Sequence, residues 1–305
     1  MSDALMAPTY AEVAQMHRHF KLLYGNPLAL DYLLATPAPT GAQLQAWLAT
    51  PANLVAFQQL ITAPNGAAAV CASSGAMAAV AGSTTAMQYV LGSSAALNAM
   101  LFSNTAMTAV AASNAAMTAI TQTLVARSAL SGHRLALAVV AANPAAMSVV
   151  AEHADTMAAV AASVDGIRVL AASATAMGVI AASANAMAVI LATANARMAV
   201  YDTTVAWDAI AAAPAARTAL SNVAVLHSTS LAAYTYPPGV AAGIRAVLVQ
   251  QKTSSAGYPS IAGASADTYT TVSLAYIDRY VRVTGLTHRI DYTGASSSVR
   301  YVVMQ

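Results

Sequence analysis

The chain has 305 residues, a formal net charge of +2, 58% hydrophobic residues and only 8% charged ones. A balance so near zero, with no basic stripe, argues against a nucleic-acid partner, and the single cysteine, Cys71, excludes an intramolecular disulfide. Charge this scarce falls well below the usual quarter for soluble domains, and no Asp, Glu, Lys or Arg occurs between Asp31 and Arg127. A surface covered by sister chains or other proteins is therefore expected.

Residues 1–40 form the first expected domain, a helical attachment segment. Thr9 to Glu12 has capping-box spacing just after Pro8 and opens a helix through about Leu23. Gly25 stops it, and Asn26-Pro27 starts a second helix. His17-Arg18-His19 is read as solvated side chains, because residues two apart on a helix point in different directions. Met1-Ser-Asp-Ala lacks a basic region followed by an apolar core, so no signal peptide is expected. The prolines between Thr36 and Thr40 then make a stiff link.

Residues 41–221 are the second expected domain. Thr50-Pro51 and Ala63-Pro64 start helices whose apolar slots hold Trp47, Phe57 and Leu60, as degenerate end copies of a repeat. From Cys71 to about Leu220 the sequence repeats every ten residues. Numbering slots by the last digit, slot seven carries Met77, Met87, Met107, Met117, Met147, Met157, Met177 and Met187, with Leu97, Leu137, Ile167 and Trp207 as substitutes. Slot three carries Ser73, Ser83, Ser93, Ser103, Ser113, Ser163, Ser173 and Ser183, or Thr123, Asn143, Thr193 and Thr203.

A ten-residue period does not suit one continuous helix, because at about 100° per residue ten residues fall roughly 80° short of three turns. Each decad is instead expected to be its own two-turn helix, restarted at slot three, where Ser, Thr and Asn cap the exposed N–H groups. Pro64, Pro144 and Pro214 each follow that slot, where proline fits a helix start and would break a continuous helix. Slots six, seven and ten share a face. Since a two-turn helix is unstable alone, neighbours must bury that face, which gives an α-solenoid of stacked short helices. Met here is core filling, not a ligand ladder, and Cys71 is read as a small buried residue in a slot usually held by Ala, with an intermolecular disulfide as the alternative. The charge-free stretch Val169 to Ala196 is long enough to span a bilayer, but recurrent caps argue against membrane insertion. His133 and His153 share slot three and are read as exposed cap substitutes, not as a metal pair.

Residues 222–305 form the third expected domain. Strand-like runs occur at Val223–His227, Leu231–Tyr236, Ile244–Gln251, Thr268–Leu274, Tyr280–Thr284, Thr287–Tyr292 and Val299–Met304, separated by Gly-, Pro- and Ser-rich turns. Their spacing predicts a small antiparallel β-sandwich or barrel. The expected fold class is therefore α+β multidomain, an α-solenoid followed by that β-domain. Tyr276, Arg279, Tyr280, Arg282, Arg289 and Tyr292 mark a candidate binding surface, since Tyr and Arg are enriched at hot spots. Ordinary cross-strand pairing explains them equally well. No phosphate loop, paired-carboxylate motif, Cys/His cluster or nucleophile elbow is present, so no enzyme, cofactor or metal is expected.

The tandem Ala-Ala-Ser-x-x-Ala-Met-x-x-Val/Ile copies, cleanest from Ala171 to Ile190, resemble decad arrays in tail-fibre and other virion proteins of tailed bacteriophages. The stretch from Ile277 to Ile290 resembles the β-rich end modules of such fibres. The resemblance implies a non-enzymatic structural component of a tail fibre, baseplate or neck fibre, assembled in the host cytoplasm. It further implies a homo-oligomer, a trimer by fibre analogy, bound to other virion proteins, with a host-surface glycan or receptor as candidate ligand. A standalone carbohydrate-binding adhesin or other surface-binding module is the competing expectation.

Overall fold

The computed structural model describes residues 26–230, 245–253, 259–264, 277–290 and 296–304. Nineteen helices and five strands lie among them. The first helices are α1 (Pro27–Leu33), α2 (Gly41–Leu48), α3 (Pro51–Thr62), α4 (Pro64–Ala72), α5 (Ser74–Ala81), α6 (Thr84–Gly92) and α7 (Ser94–Phe102). Next come α8 (Asn104–Ala111), α9 (Asn114–Gln122), α10 (Leu124–Gly132), α11 (Arg134–Ala142), α12 (Pro144–Glu152) and α13 (Ala154–Ala162). The last are α14 (Val164–Ala171), α15 (Ala174–Ala182), α16 (Ala184–Ala192), α17 (Ala194–Asp202), α18 (Thr204–Ala212) and α19 (Pro214–Val223).

Each decad restarts its helix at slot three. Ser103 is extended (φ −98°, ψ 114°), which ends α7, and its Oγ accepts from the Ala106 N–H, which opens α8. Ser73, Ser83, Ser93, Ser113, Ser173 and Ser183 make the same bond to the residue three places on, at 3.2–3.3 Å. Asn143 caps two amides at once, those of Ala145 and Ala146, ahead of a helix with proline in its first turn. The chain turns sharply at these restarts, by 94° between α10 and α11 and by 97° between α14 and α15.

The chain divides into two compact units, Met1–Thr156 and Met157–Gln305. In the first, helices three places apart pack together: α4 on α7, α5 on α8, α8 on α11 and α9 on α12. Slots six, seven and ten are buried, and so is slot one, as in Ala106, Met107, Val110 and Ala111. Burying slot one widens the core stripe to neighbours one, three, four and five residues apart, enough for a helix held between two others. Three of the slot-three serines also bind across the packing. Ser103 Oγ donates to the Cys71 carbonyl at 2.7 Å and Ser113 Oγ to the Ala81 carbonyl at 2.7 Å, while Ser93 reaches the Ile61 carbonyl at 3.4 Å. Each of these carbonyls belongs to the last turn of a helix and lacks an intrahelical partner. One hydroxyl thus opens its own helix and closes the helix 32 residues earlier.

In the second unit α14 packs on α17, α15 on α18 and α16 on α19, and α19 also touches the sheet. That sheet contains β1 (Val225–Ser230), β2 (Arg245–Thr253), β3 (Pro259–Ala264), β4 (Ile277–Ile290) and β5 (Ser296–Val303). Its order is β1-β5-β2-β4-β3, with every neighbouring pair antiparallel.

The solenoid is thus followed by a different β-structure from the one the sequence suggests. No sandwich or barrel is seen among the described residues; the strands form one open sheet with β1 and β3 at its edges. The physical reason lies in Ile277–Ile290. Separate strands were expected on either side of Gly285, but the stretch runs as one fourteen-residue strand. Pairing shifts register between Ala262↔Thr287 and Ala264↔Val283, so the glycine is absorbed as a bulge and not as a turn between layers. With β2 on one flank and β3 on the other, β4 sits inside the sheet. The strand Pro259–Ala264 was not expected, whereas the runs expected at Leu231–Tyr236 and Thr268–Leu274 lie outside the described residues.

At the other end, the capping-box helix and His17-Arg18-His19 also lie outside the described residues, and the helix expected at Asn26-Pro27 is α1. Trp47 does not occupy a core slot as expected. It is half-buried and stacked on Tyr32, with ring centroids 4.7 Å apart, while Leu44 and Leu48 supply the core. Among the described residues no single helix is long and apolar enough to cross a membrane, although three sharply bent pairs reach that length and composition.

Candidate functional site

A local site requires a departure from the repeat, because regular copies present the same Ala, Ser, Thr and Asn surface. One such departure lies in the first unit. Slot two is held by small or polar residues in the other decads and by Phe102 in this one, whose ring is 70% exposed. Leu135, in the slot-five position 33 residues on, is 66% exposed. Between them runs an open groove of about 550 Å³, floored by Met107 and Val139 and edged by Asn104 and Thr108. The groove exists because α8 and α11 lie side by side and Ala111, Ala138 and Ala142 leave its walls low.

Phe102 is held in place by its neighbour in the next turn of the array. Its ring meets His133 edge-on, with centroids 4.4 Å apart and planes 89° apart. His133 is itself fixed, because its Nδ1 accepts from the Ala136 N–H and caps α11. That geometry requires a lone pair on Nδ1, hence the tautomer with its proton on Nε2. His153 is also a cap residue, with Nδ1 3.1 Å from the Thr156 hydroxyl. Both rings are half-buried rather than exposed as expected. Among the described residues no three His, Cys, Asp or Glu side chains converge on a metal position.

Cys71 is buried, and burial pushes its thiol up from 9.0 to about 12. A thiol kept neutral in an apolar wall is poorly suited to nucleophilic chemistry. The groove contains no ionisable side chain among its lining residues, so its chemistry is that of apolar contact with a few amide and hydroxyl donors.

The expected Tyr/Arg surface is distributed as follows. Arg279, Tyr280, Arg282 and Arg289 lie in β4, with Arg282 opposite Val247 and Arg289 opposite Ser260. Tyr276 and Tyr292 lie outside the described residues.

Three residues that the repeat pattern did not single out maintain the array where its rule fails. For Ser83 the residue 32 places earlier is Pro51, which opens α3 and does not close a helix; Gln45 takes that place, its Oε1 accepting from Ser83 Oγ at 2.7 Å and from the Thr85 N–H at 3.2 Å. Gln45 Nε2 also donates to Thr85 Oγ1 at 2.7 Å. In the copy where His153 replaces serine, Thr156 replaces alanine, and its hydroxyl lies 3.4 Å from the Thr121 carbonyl. In the second unit, the residue 32 places after Leu191 is Val223, which has no hydroxyl. Arg197, in a slot usually held by Met, donates from its guanidinium to the Leu191 carbonyl at 2.6 Å. A polar residue in a slot usually held by Ala or Met is the sequence signal that marks Thr156 and Arg197; Gln45 lies before the regular decads and carries no such signal.

No protein-family model matches the chain, and no curated protein matches it.

Proposed function

We propose that the chain is a non-enzymatic structural component of a phage virion, in a tail fibre, baseplate or neck fibre. In this role the decad array is a spacer and the C-terminal sheet docks on another virion protein or a host-surface receptor. The observation that carries the reading is the double role of the slot-three serines, exemplified by Ser103 with Ala106 and Cys71. A hydrogen-bonded link repeated in the successive decads of Ser93, Ser103 and Ser113 suits a stiff spacer, since each of these residues ties the start of its own helix to the turn before it. The sequence resemblance of the Ala171 to Ile190 copies to phage virion arrays supports the same reading, and the scarcity of charge supports permanent assembly with copies of itself and other virion proteins.

Quantitative mass spectrometry of purified, salt-washed particles tests it. The chain is expected at a fixed ratio to a major structural protein. Its absence from particles, with glycan-array binding by the free full-length chain, would replace this reading with that of a standalone carbohydrate-binding adhesin.

A further inference from the structure

We infer that the Phe102 groove is a self-association face, in which Phe102 of one copy enters the groove of a second copy about a two-fold axis. The inference rests on the assembly reading above and deepens it by naming the surface; its two-fold symmetry departs from the trimer that the sequence resemblance implies.

Three observations on this face point to a second copy. The knob and the hole are adjacent, since Phe102 itself lines the groove that runs between α8 and α11. A two-fold contact requires one patch to be complementary to itself, and a protruding ring beside a receptive groove meets that requirement. A three-fold contact would need knob and hole on different sides of the molecule. The second observation concerns charge. No groove-lining residue is ionisable, and the sequence from Tyr32 to Ala126 carries no Asp, Glu, Lys or Arg. A charged partner would lose solvation without finding a counter-charge in the groove, whereas the groove lining of a second copy brings no charge. Two ionisable residues flank the lining without belonging to it: His133, in ring contact with Phe102, and the exposed Arg134, next to Leu135 at the start of α11.

The third observation is the packing of Phe102. A ring 70% exposed but oriented by an edge-on contact with His133 is an anchor already held near one orientation. Large aromatic anchors entering a pocket dominate interface energetics, and an oriented anchor loses less freedom on binding. The small residues Ala138 and Thr108 along the groove leave room for it.

Sedimentation equilibrium of the full-length chain at micromolar concentration tests the inference, with circular dichroism to verify the fold of each variant. Phe102→Asp removes the knob, and Ala138→Trp fills the groove from an exposed position. Leu124→Asp is the control, because Leu124 is 66% exposed but does not line the groove. The expected result is a dimeric wild type and a dimeric Leu124 variant, with both groove variants halved in mass and unchanged in helix content. A monomeric wild type, a dimer insensitive to both groove variants, or a trimer would each overturn the inference. If the dimer is insensitive while the chain remains in purified particles, the groove assignment fails and the structural role survives. If the groove variants dissociate a chain that is absent from particles, the reverse holds.

Discussion

Replacing Ser103 with Ala should cost clearly more than replacing Ser73 with Ala, although the two serines occupy the same slot and make the same cap. Ser73 accepts from the Ala76 N–H at 3.2 Å, and Ser103 accepts from the Ala106 N–H at 3.1 Å. Loss of either cap costs about 1 kcal/mol. Ser103 additionally donates to the Cys71 carbonyl at 2.7 Å, which belongs to the closing turn of α4 and has no helical partner. Stranding a buried acceptor costs roughly 1–3 kcal/mol. The Ser103 variant should therefore lose about 2–4 kcal/mol and the Ser73 variant about 1 kcal/mol. Urea unfolding followed by both circular dichroism and tryptophan fluorescence measures the difference, and coincident transitions justify treating each as a single step. Amide exchange locates it: in the Ser103 variant, protection should fall in α4 as well as α8, whereas in the Ser73 variant it should fall in α5 alone. Equal losses, or exchange confined to α8, would refute the cross-turn link.

The two glycine substitutions should have opposite signs. A Cβ on Gly41 would lie 2.4 Å from the Gly82 backbone, so Gly41→Ala should destabilise by at least about 1–3 kcal/mol. Gly178→Ala in α15 meets no atom within 4 Å and should stabilise by up to about 1 kcal/mol; thermal denaturation reads both. Gln45→Ala leaves the Ser83 hydroxyl and the Thr85 N–H without their partner, and the expected loss of about 1–3 kcal/mol should appear as faster amide exchange at the start of α6. Because the Cys71 thiol is raised in the folded state, from 9.0 to about 12, its contribution is complete below pH 9 and falls as pH rises toward 12. Between those values the wild type should lose up to about 1.4 kcal/mol per pH unit relative to Cys71→Ala. A pH-independent difference would show that the thiol is not shielded.

Much of the array was readable because its period conflicts with a continuous helix. The phase mismatch, the Ser at slot three and the prolines after it all demand a restart, and the restart appears at each such residue from Ser73 to Ser183. The link from Ser103 to Cys71 was less readable, since it depends on which helix lies three places away, and no single decad specifies the turn per restart. Phe102 and Leu135 were not singled out in the sequence, since a lone apolar residue in an outward slot carries no signal by itself, and only packing shows that they flank one groove. The sheet was misjudged at Gly285, where a glycine between two β-rich runs reads equally well as a turn or as a bulge. Local composition cannot separate the two, because the outcome depends on whether β3 pairs along the whole of β4.

The most direct test of the account is a density map of the chain in its particle, at a resolution that separates helices. It should show short helices restarting at slot three, turning as sharply as the 94° and 97° junctions of the structure, with the Phe102 face against a second copy. Density for long continuous helices through several decads, or a chain absent from the particle, would contradict it.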